Sequence, residues 1–298
     1  MDVSTIDLNF FDQKGEIASY LLIHTGGVVL VDPGPETSLP ALVSALENHG
    51  LTPHDVSHIL LTHIHLDHAG SAGWFARQGA TVYVHPDGVQ HLLNPEKLVA
   101  SASRLYGEWM DKLWGEVKSV PKEKLIEVHD EDEIVAGELH ILALHTPGHA
   151  KHHVSYIYKD VIFSGDVGGV RFEPNKYVRL PFVPPETNLE MWRTSLERMI
   201  NVGCKYIAPT HFGIFDDANA HLHRAIHFLK EVVVWLSKNM PGIHDVDSMG
   251  IRYAEFLHEY DLSFGLGESA LAIYDRSDPI GFAASGLFRY WLKERSGT

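Results

Sequence analysis

Short apolar runs punctuated by turn residues organise the first 85 positions of the chain. Tyr20-Leu21-Leu22-Ile23 and Val28-Val29-Leu30-Val31 flank Gly26-Gly27, which predicts a hairpin of buried strands. Asp32-Pro33-Gly34-Pro35 stops the second strand. Leu39, Leu42, Val43 and Leu46 then recur at helical spacing, and Gly50 ends that helix. Val56 to Leu61 and Thr81-Val82-Tyr83-Val84 are further strand patterns, with a helix expected between them from Ala69 to Gln78. This alternation predicts an α/β core with helices on the sheet faces.

The pattern changes at about residues 88–120. Leu98, Leu105, Trp109 and Leu113 recur at helical spacing, so a helical insertion is expected, its apolar stripe covering the core. Strand patterns return at Leu139–Leu144, Val154–Tyr158 and Val161–Phe163, with Asp160 in the tight turn of the last pair. Gly168 to Glu186 is irregular and Pro-rich, and its Phe172, Tyr177 and Phe182 read either as a pocket wall or as an ordinary packed loop. Leu189, Trp192, Leu196, Met199 and Ile200 mark a helix, followed by a strand at 205–208. Beyond His211 the pattern is helical almost throughout, from the stripe Leu222, Ile226, Leu229, Val233 and Leu236 to helices near 248–259 and 281–293. Two units are therefore expected: an α/β unit over 1–217 and a helical C-terminal subdomain or cap over 218–298.

Composition narrows the functional classes. With 45% hydrophobic residues in 298, the chain can bury a sizeable core. A formal charge of −15, with no basic run longer than two residues, argues against a nucleic-acid partner. No stretch of 18 apolar residues occurs and the start lacks a basic segment followed by an apolar run. A soluble, cytoplasmic protein with no membrane partner is the expectation. The single cysteine, Cys204, excludes an intramolecular disulfide and reads as a small hydrophobe in a helix–strand corner. Apolar residues late in the tail, Leu257, Phe264, Leu266, Leu287, Phe288, Tyr290 and Trp291, either pack on the core or form a homodimer interface.

The unusual number is 21 histidines, and their spacing carries the chemistry. His63, His65, Asp67 and His68 lie in one six-residue window directly after a strand pattern. His149, Asp166 and His211 each follow another strand pattern, beside Gly or Pro. Open sheets collect their sites at the carboxyl ends of strands. Imidazole nitrogen and carboxylate oxygen suit borderline divalent ions. Five imidazoles and two carboxylates complete two ligand sets if one carboxylate bridges. His152 and His153 follow His149 closely, and one of them is a candidate to face the pocket. His24, His49, His221 and His258 read as surface or hydrogen-bonded residues.

His63-x-His65-x-Asp67-His68, followed by His149, Asp166 and His211, resembles the metallo-β-lactamase superfamily in its dinuclear, glyoxalase II-like hydrolase branch. The matching regions span about residues 17–215. The resemblance implies a four-layer αβ/βα sandwich carrying the helical insertion and the helical extension. It implies that His63, His65 and His149 hold a first metal, that Asp67, His68 and His211 hold a second, and that Asp166 bridges them. Asp32 in Val31-Asp32-Pro33-Gly34 resembles the aspartate that orients the ligand loop. The implied nucleophile is a hydroxide shared by two divalent ions, zinc first, with iron or manganese as alternatives, and Asp67 doubles as a proton acceptor.

Departures from related patterns narrow the reaction. His65 stands where flavodiiron oxidases usually carry glutamate. Asp166 stands where true β-lactamases mostly carry cysteine or serine. Gly169 replaces the tyrosine of quorum-sensing lactonases, and the tail lacks the basic glutathione-clamping motif of hydroxyacylglutathione hydrolases. The expected activity is hydrolysis of a small carboxylic thioester, ester or lactone. The alternatives are a phosphodiesterase for a small nucleotide, a mononuclear iron enzyme resembling persulfide dioxygenases, and a non-catalytic metal-binding protein on the same fold.

Overall fold

The computed structural model describes residues 2–294; Met1 and 295–298, at the outer ends of the two expected units, lie outside them. Six strands form the first sheet: β1 (Ser4–Asp7), β2 (Ala18–His24), β3 (Gly27–Val31), β4 (Val56–Leu60), β5 (Thr81–Val84) and β6 (Leu125–Glu127), in sequence order. The β1–β2 and β2–β3 pairs are antiparallel, and pairing is parallel from β3 to β6. Five strands form the second sheet: β7 (Glu133–Ala136), β8 (Leu139–His145), β9 (Val154–Tyr158), β10 (Val161–Phe163) and β11 (Tyr206–Ala208), again in sequence order. Only the β10–β11 pair is parallel there.

The central strands read as unbroken apolar runs because both of their faces are buried. In β3, Val29 and Val31 meet Ile141, Tyr156 and Phe163 of the second sheet, while Val28 and Leu30 face outward. The outward face is covered by α1 (Leu39–Asn48), α2 (Leu66–Ala69) and α3 (Ala72–Gln78), with Leu42, Leu46 and Phe75 fully buried. Where one helix was expected over Ala69–Gln78 there are two, separated at Gly70 and Ser71. A side chain at Gly70 would approach Leu66 O to 2.5 Å and Pro35 Cα to 3.0 Å. Three helices fill the insertion: α4 (Pro86–Leu93), α5 (Glu96–Tyr106) and α6 (Met110–Trp114).

The outer face of the second sheet is covered by α7 (Leu189–Val202) and by the tail helices α8 (Ala218–Asn239), α9 (Val246–Ser263), α10 (Glu268–Ser277) and α11 (Ile280–Glu294). Trp192, Phe228, Tyr253 and Leu287 share one core with Ile157 and Ile162 of the sheet. The expected αβ/βα four-layer sandwich with its helical tail is the fold observed. Arg179, fully buried, ties the irregular segment before α7 to the tail through Asp261 at 2.7 Å and Asp275 at 2.8 Å. Leu266, Leu287 and Tyr290 are buried within the chain, whereas Phe264 is 44% exposed. No helix among the described residues is long and apolar enough to cross a membrane.

Candidate metal centre

Every residue of the histidine and aspartate constellation arrives at one edge of the sandwich, because each follows the carboxyl end of a strand. The loop after β4 supplies His63, His65, Asp67 and His68. His149 follows β8, Asp166 follows β10 and His211 follows β11. Ligating atoms of His63, His65 and His149 lie within 4.8 Å of one another, and so do those of Asp67, His68, Asp166 and His211. The two oxygens of Asp166 divide between these groups. Its Oδ2 lies 3.4 Å from His149 Nε2 and 4.0 Å from His63 Nε2. Its Oδ1 lies 3.3 Å from His68 Nε2 and 3.6 Å from His211 Nε2.

Outer hydrogen bonds fix which ring nitrogen faces inward. A backbone carbonyl can only accept, so Nδ1 of His149 carries the hydrogen toward Pro181 O at 2.8 Å. Nδ1 of His211 donates to Glu16 O at 2.9 Å in the same way. Nδ1 of His68 donates to Asp32 Oδ2 at 2.8 Å. Thr62 Oγ1 donates to the same oxygen at 2.7 Å and accepts from His63 Nδ1 at 3.1 Å. The Nε2 atoms of these four rings are therefore the ones that face the interior, each offering a lone pair whenever it carries no proton. His63 Nε2 and His149 Nε2 stand 2.9 and 3.0 Å from His65 Nδ1. His68 Nε2 and Asp166 Oδ1 are buried without any hydrogen-bond partner. Converging ring nitrogens and carboxylate oxygens repel one another unless protons or metal ions lie among them, and this set of nitrogen and oxygen donors fits divalent metal ions.

Electrostatics separate the two groups. Burial, reinforced by the neighbouring imidazoles, holds His63 well below the usual histidine range and His65 down to about 3. Both are neutral and ready to ligate. Burial would also depress His68, but Asp166, Asp67 and Asp32 overcome it and hold the ring well above the ordinary value. Burial would raise Asp67, yet His68 and His211 keep it well below the usual carboxylate range. A metal at the second group must therefore displace a proton from His68, and ligand deprotonation of this kind makes metal affinity depend on pH.

The family model described as metallo-beta-lactamase superfamily matches residues 13–211. The chain belongs to the metallo-beta-lactamase superfamily. It is 30% identical over 204 residues to the metallo-beta-lactamase fold-containing protein ST1585 of Sulfurisphaera tokodaii, covering 67% of this chain and 74% of that one. It is 36% identical over 159 residues to the probable metallo-hydrolase YqgX of Bacillus subtilis, covering 51% of this chain and 67% of that one. The crystal structure of the metallo-beta-lactamase family protein TTHA1429 from Thermus thermophilus superposes with a TM-score of 0.71, covering 98% of this chain and 94% of that chain at 22% identity. At that identity the likeness shows the shared fold.

In this superfamily member a chamber of about 560 Å³ opens beside the centre, with His65, Asp67, Asp166 and His211 on its floor. His152 lines the chamber and lies 3.4 Å from Glu186. His153 does not reach it: the ring is buried behind His63, stacked at 5.2 Å and held by Thr146 Oγ1 at 2.9 Å. Two expectations need correction. Phe172, Tyr177 and Phe182 are not a pocket wall. The segment is sandwiched between centre and tail, so Pro181 and Val183 face the chamber while Phe182 turns the other way onto Trp192 and Phe228. Phe172 and Tyr177 pack on Tyr274 of α10. Conversely Leu98, Leu105, Trp109 and Leu113 do not simply cover the core, because all four line the chamber.

Sequence reasoning missed Tyr106 and Trp114, also on that wall, although three aromatic residues within positions 106–114 were a readable signal. It also missed Phe10, Arg276 and Phe282, which come from opposite ends of the chain and carry no local signal.

Proposed function

We propose that this protein is a dinuclear, glyoxalase II-like metallohydrolase acting on a small carboxylic thioester, ester or lactone. The observation that carries this reading is the division of the Asp166 oxygens between two groups of inward-facing lone pairs. Zinc fits five nitrogens and two carboxylates, with iron or manganese as the alternatives. Bound there, two such ions supply Lewis acidity toward a carbonyl oxygen and activate water as the nucleophile.

The chain's own residues do the rest. His63, His65 and His149 would hold one ion, Asp67, His68 and His211 the other, and Asp166 both. Asp67 faces His68 and His211 through Oδ2, at 3.5 and 3.4 Å, and is held ionised by them. It lines the chamber and is the carboxylate placed to accept a proton during attack. Asp32 keeps His63 and His68 in the ligating tautomer, so no ring has to reorient. A cysteine nucleophile has no part: Cys204 lies between α7 and β11, and burial pushes its thiol up to about 11.

Metal analysis with a panel of thioesters, esters, lactones and phosphodiesters tests the reading. About two metals per chain with carboxylic-ester, thioester or lactone turnover is expected for a two-metal site. Turnover of phosphodiesters alone, a single iron with oxygen consumption, or a loaded centre inert on every substrate would each replace it.

A further inference from the structure

The chamber wall has a chemistry of its own. Trp114 stacks on Phe10 with ring centres 5.4 Å apart and meets Tyr106 edge-on at 5.0 Å. Phe282 of α11 closes on Tyr106 at 5.3 Å. Beside this cluster Leu105 and Trp109, both chamber-lining, leave 39% and 48% of their surface uncovered. A soluble chain seldom leaves large apolar side chains grouped around a concave space unless a ligand covers them. Positive charge at the chamber is sparse, while the carboxylates of Glu16, Asp67, Asp166, Glu186 and Asp278 all line it. Its arginine, Arg276, is engaged by Glu16 Oε1 at 2.7 Å, and Lys97 is an exposed side chain. A polyanionic substrate would find little here to neutralise it.

We infer that the substrate carries a bulky apolar substituent beside its scissile carbonyl, seated against the α5–α6 wall while the carbonyl reaches Asp166. This rests on the hydrolase reading, which it deepens by naming the substrate class. The volume is that of a pocket for a drug-sized group, so an acetyl group would leave most of the wall uncovered. Each methylene taken out of water is worth about a fourfold gain in kcat/KM until the chamber is filled.

The experiment uses the full metal-loaded chain and p-nitrophenyl esters from acetate to decanoate. The expected result is kcat/KM rising with acyl length, and Trp109→Ala lowering it about tenfold for octanoate and much less for acetate. Leu105→Gln serves the same comparison where Trp109→Ala fails to fold. A second readout does not need turnover: 1-octanol should change the tryptophan fluorescence of the metal-free protein, and the variants should weaken that response. A flat acyl-length profile with turnover intact overturns the inference and leaves the hydrolase standing. Octanol binding that depends on Trp109, with no ester hydrolysed, upholds the apolar wall and sinks the hydrolase. Neither response sinks both.

Discussion

Nδ1 of His68 donates to Oδ2 of Asp32 across 2.8 Å, and both side chains are fully buried. That one carboxylate oxygen also accepts from Thr62 Oγ1 at 2.7 Å and Thr210 Oγ1 at 2.9 Å, while Oδ1 accepts from the Thr62 backbone at 2.8 Å. Asp32 thus holds three ligand-bearing segments: the His63 end of the loop through Thr62, the His68 end directly, and the His211 loop through Thr210. Its backbone is left-handed, with φ 49°, a conformation asparagine tolerates well. Asp32→Asn therefore tests the hydrogen bonds with little backbone strain. The variant is expected to fold and to lose about 10–100-fold in metal affinity, measured by competition with a chelator. Unchanged affinity would remove Asp32 from the centre.

The two ligand groups should be separable by substitution. His211 belongs with Asp67 and His68, so His211→Ala is expected to reduce the metal content from about two equivalents to about one. Asp166→Ala touches both groups and should leave less than one, as should His63→Ala if the first site fills first. Each is expected to lower turnover at least about 100-fold. His258, exposed on α9, is the control, and His258→Ala should change neither quantity. Elemental analysis of purified variants decides it; a His211→Ala protein that retains full metal would contradict the grouping.

Gly148 precedes His149 with φ 152° against the backbone of α7. A Cβ there would lie 2.3 Å from Trp192 Cα and 2.7 Å from Trp192 N, and neither atom can move without shifting the helix. Gly148→Ala is expected to cost about 1–3 kcal/mol of stability in urea unfolding. It should also displace His149 and lower metal content. Gly50→Ala offers the contrast: φ 73° but open space around it, so about 1 kcal/mol is lost and the metal is kept. Equal losses for the two would show that the α7 contact is irrelevant to the ligand.

The contrast between these glycines also shows what the sequence alone reveals. An α/β core was legible because both faces of β3, β9 and β10 are buried, and unbroken runs such as Val28–Val31 announce that directly, whereas the four-layer order came from the resemblance to the superfamily. The histidine and aspartate cluster was legible because His63 to His68 are close in sequence and the other three each follow a strand. β1, β6 and β7 were not read, since they are three or four residues long with exposed positions such as Ile126 and Val135. The α5–α6 stripe was given the core alone as its neighbour, although it also lines the chamber, because periodicity tells which face is apolar and not what covers it. Phe172, Tyr177 and Phe182 failed for the reverse reason: proximity to Asp166 in sequence says nothing about which side of an extended segment faces the histidine and aspartate cluster. Glu16 and Arg276 meet across 260 positions, and no local pattern encodes such a pair.

Asp278, at the α10–α11 junction, makes the tail sensitive to pH. It is 1% exposed, and burial raises its carboxyl to about 7 against the opposing pull of Arg179. Asp275, Asp166 and His211 are the other charges that act on it. An unfolded chain titrates this group near 3.8. Between pH about 4 and 7 the folded protein therefore binds the extra proton, so this group's contribution to stability falls as pH rises through that window and levels off above it. Asp278→Asn removes the titration while keeping the shape. In urea unfolding of the metal-free protein, the variant should gain on the native chain by on the order of a few kcal/mol at pH 8 and much less at pH 5. A difference between the two proteins that does not change with pH would show that Asp278 does not titrate in this window, and that the ion pairs of Arg179 with Asp261 and Asp275 set the tail's stability instead.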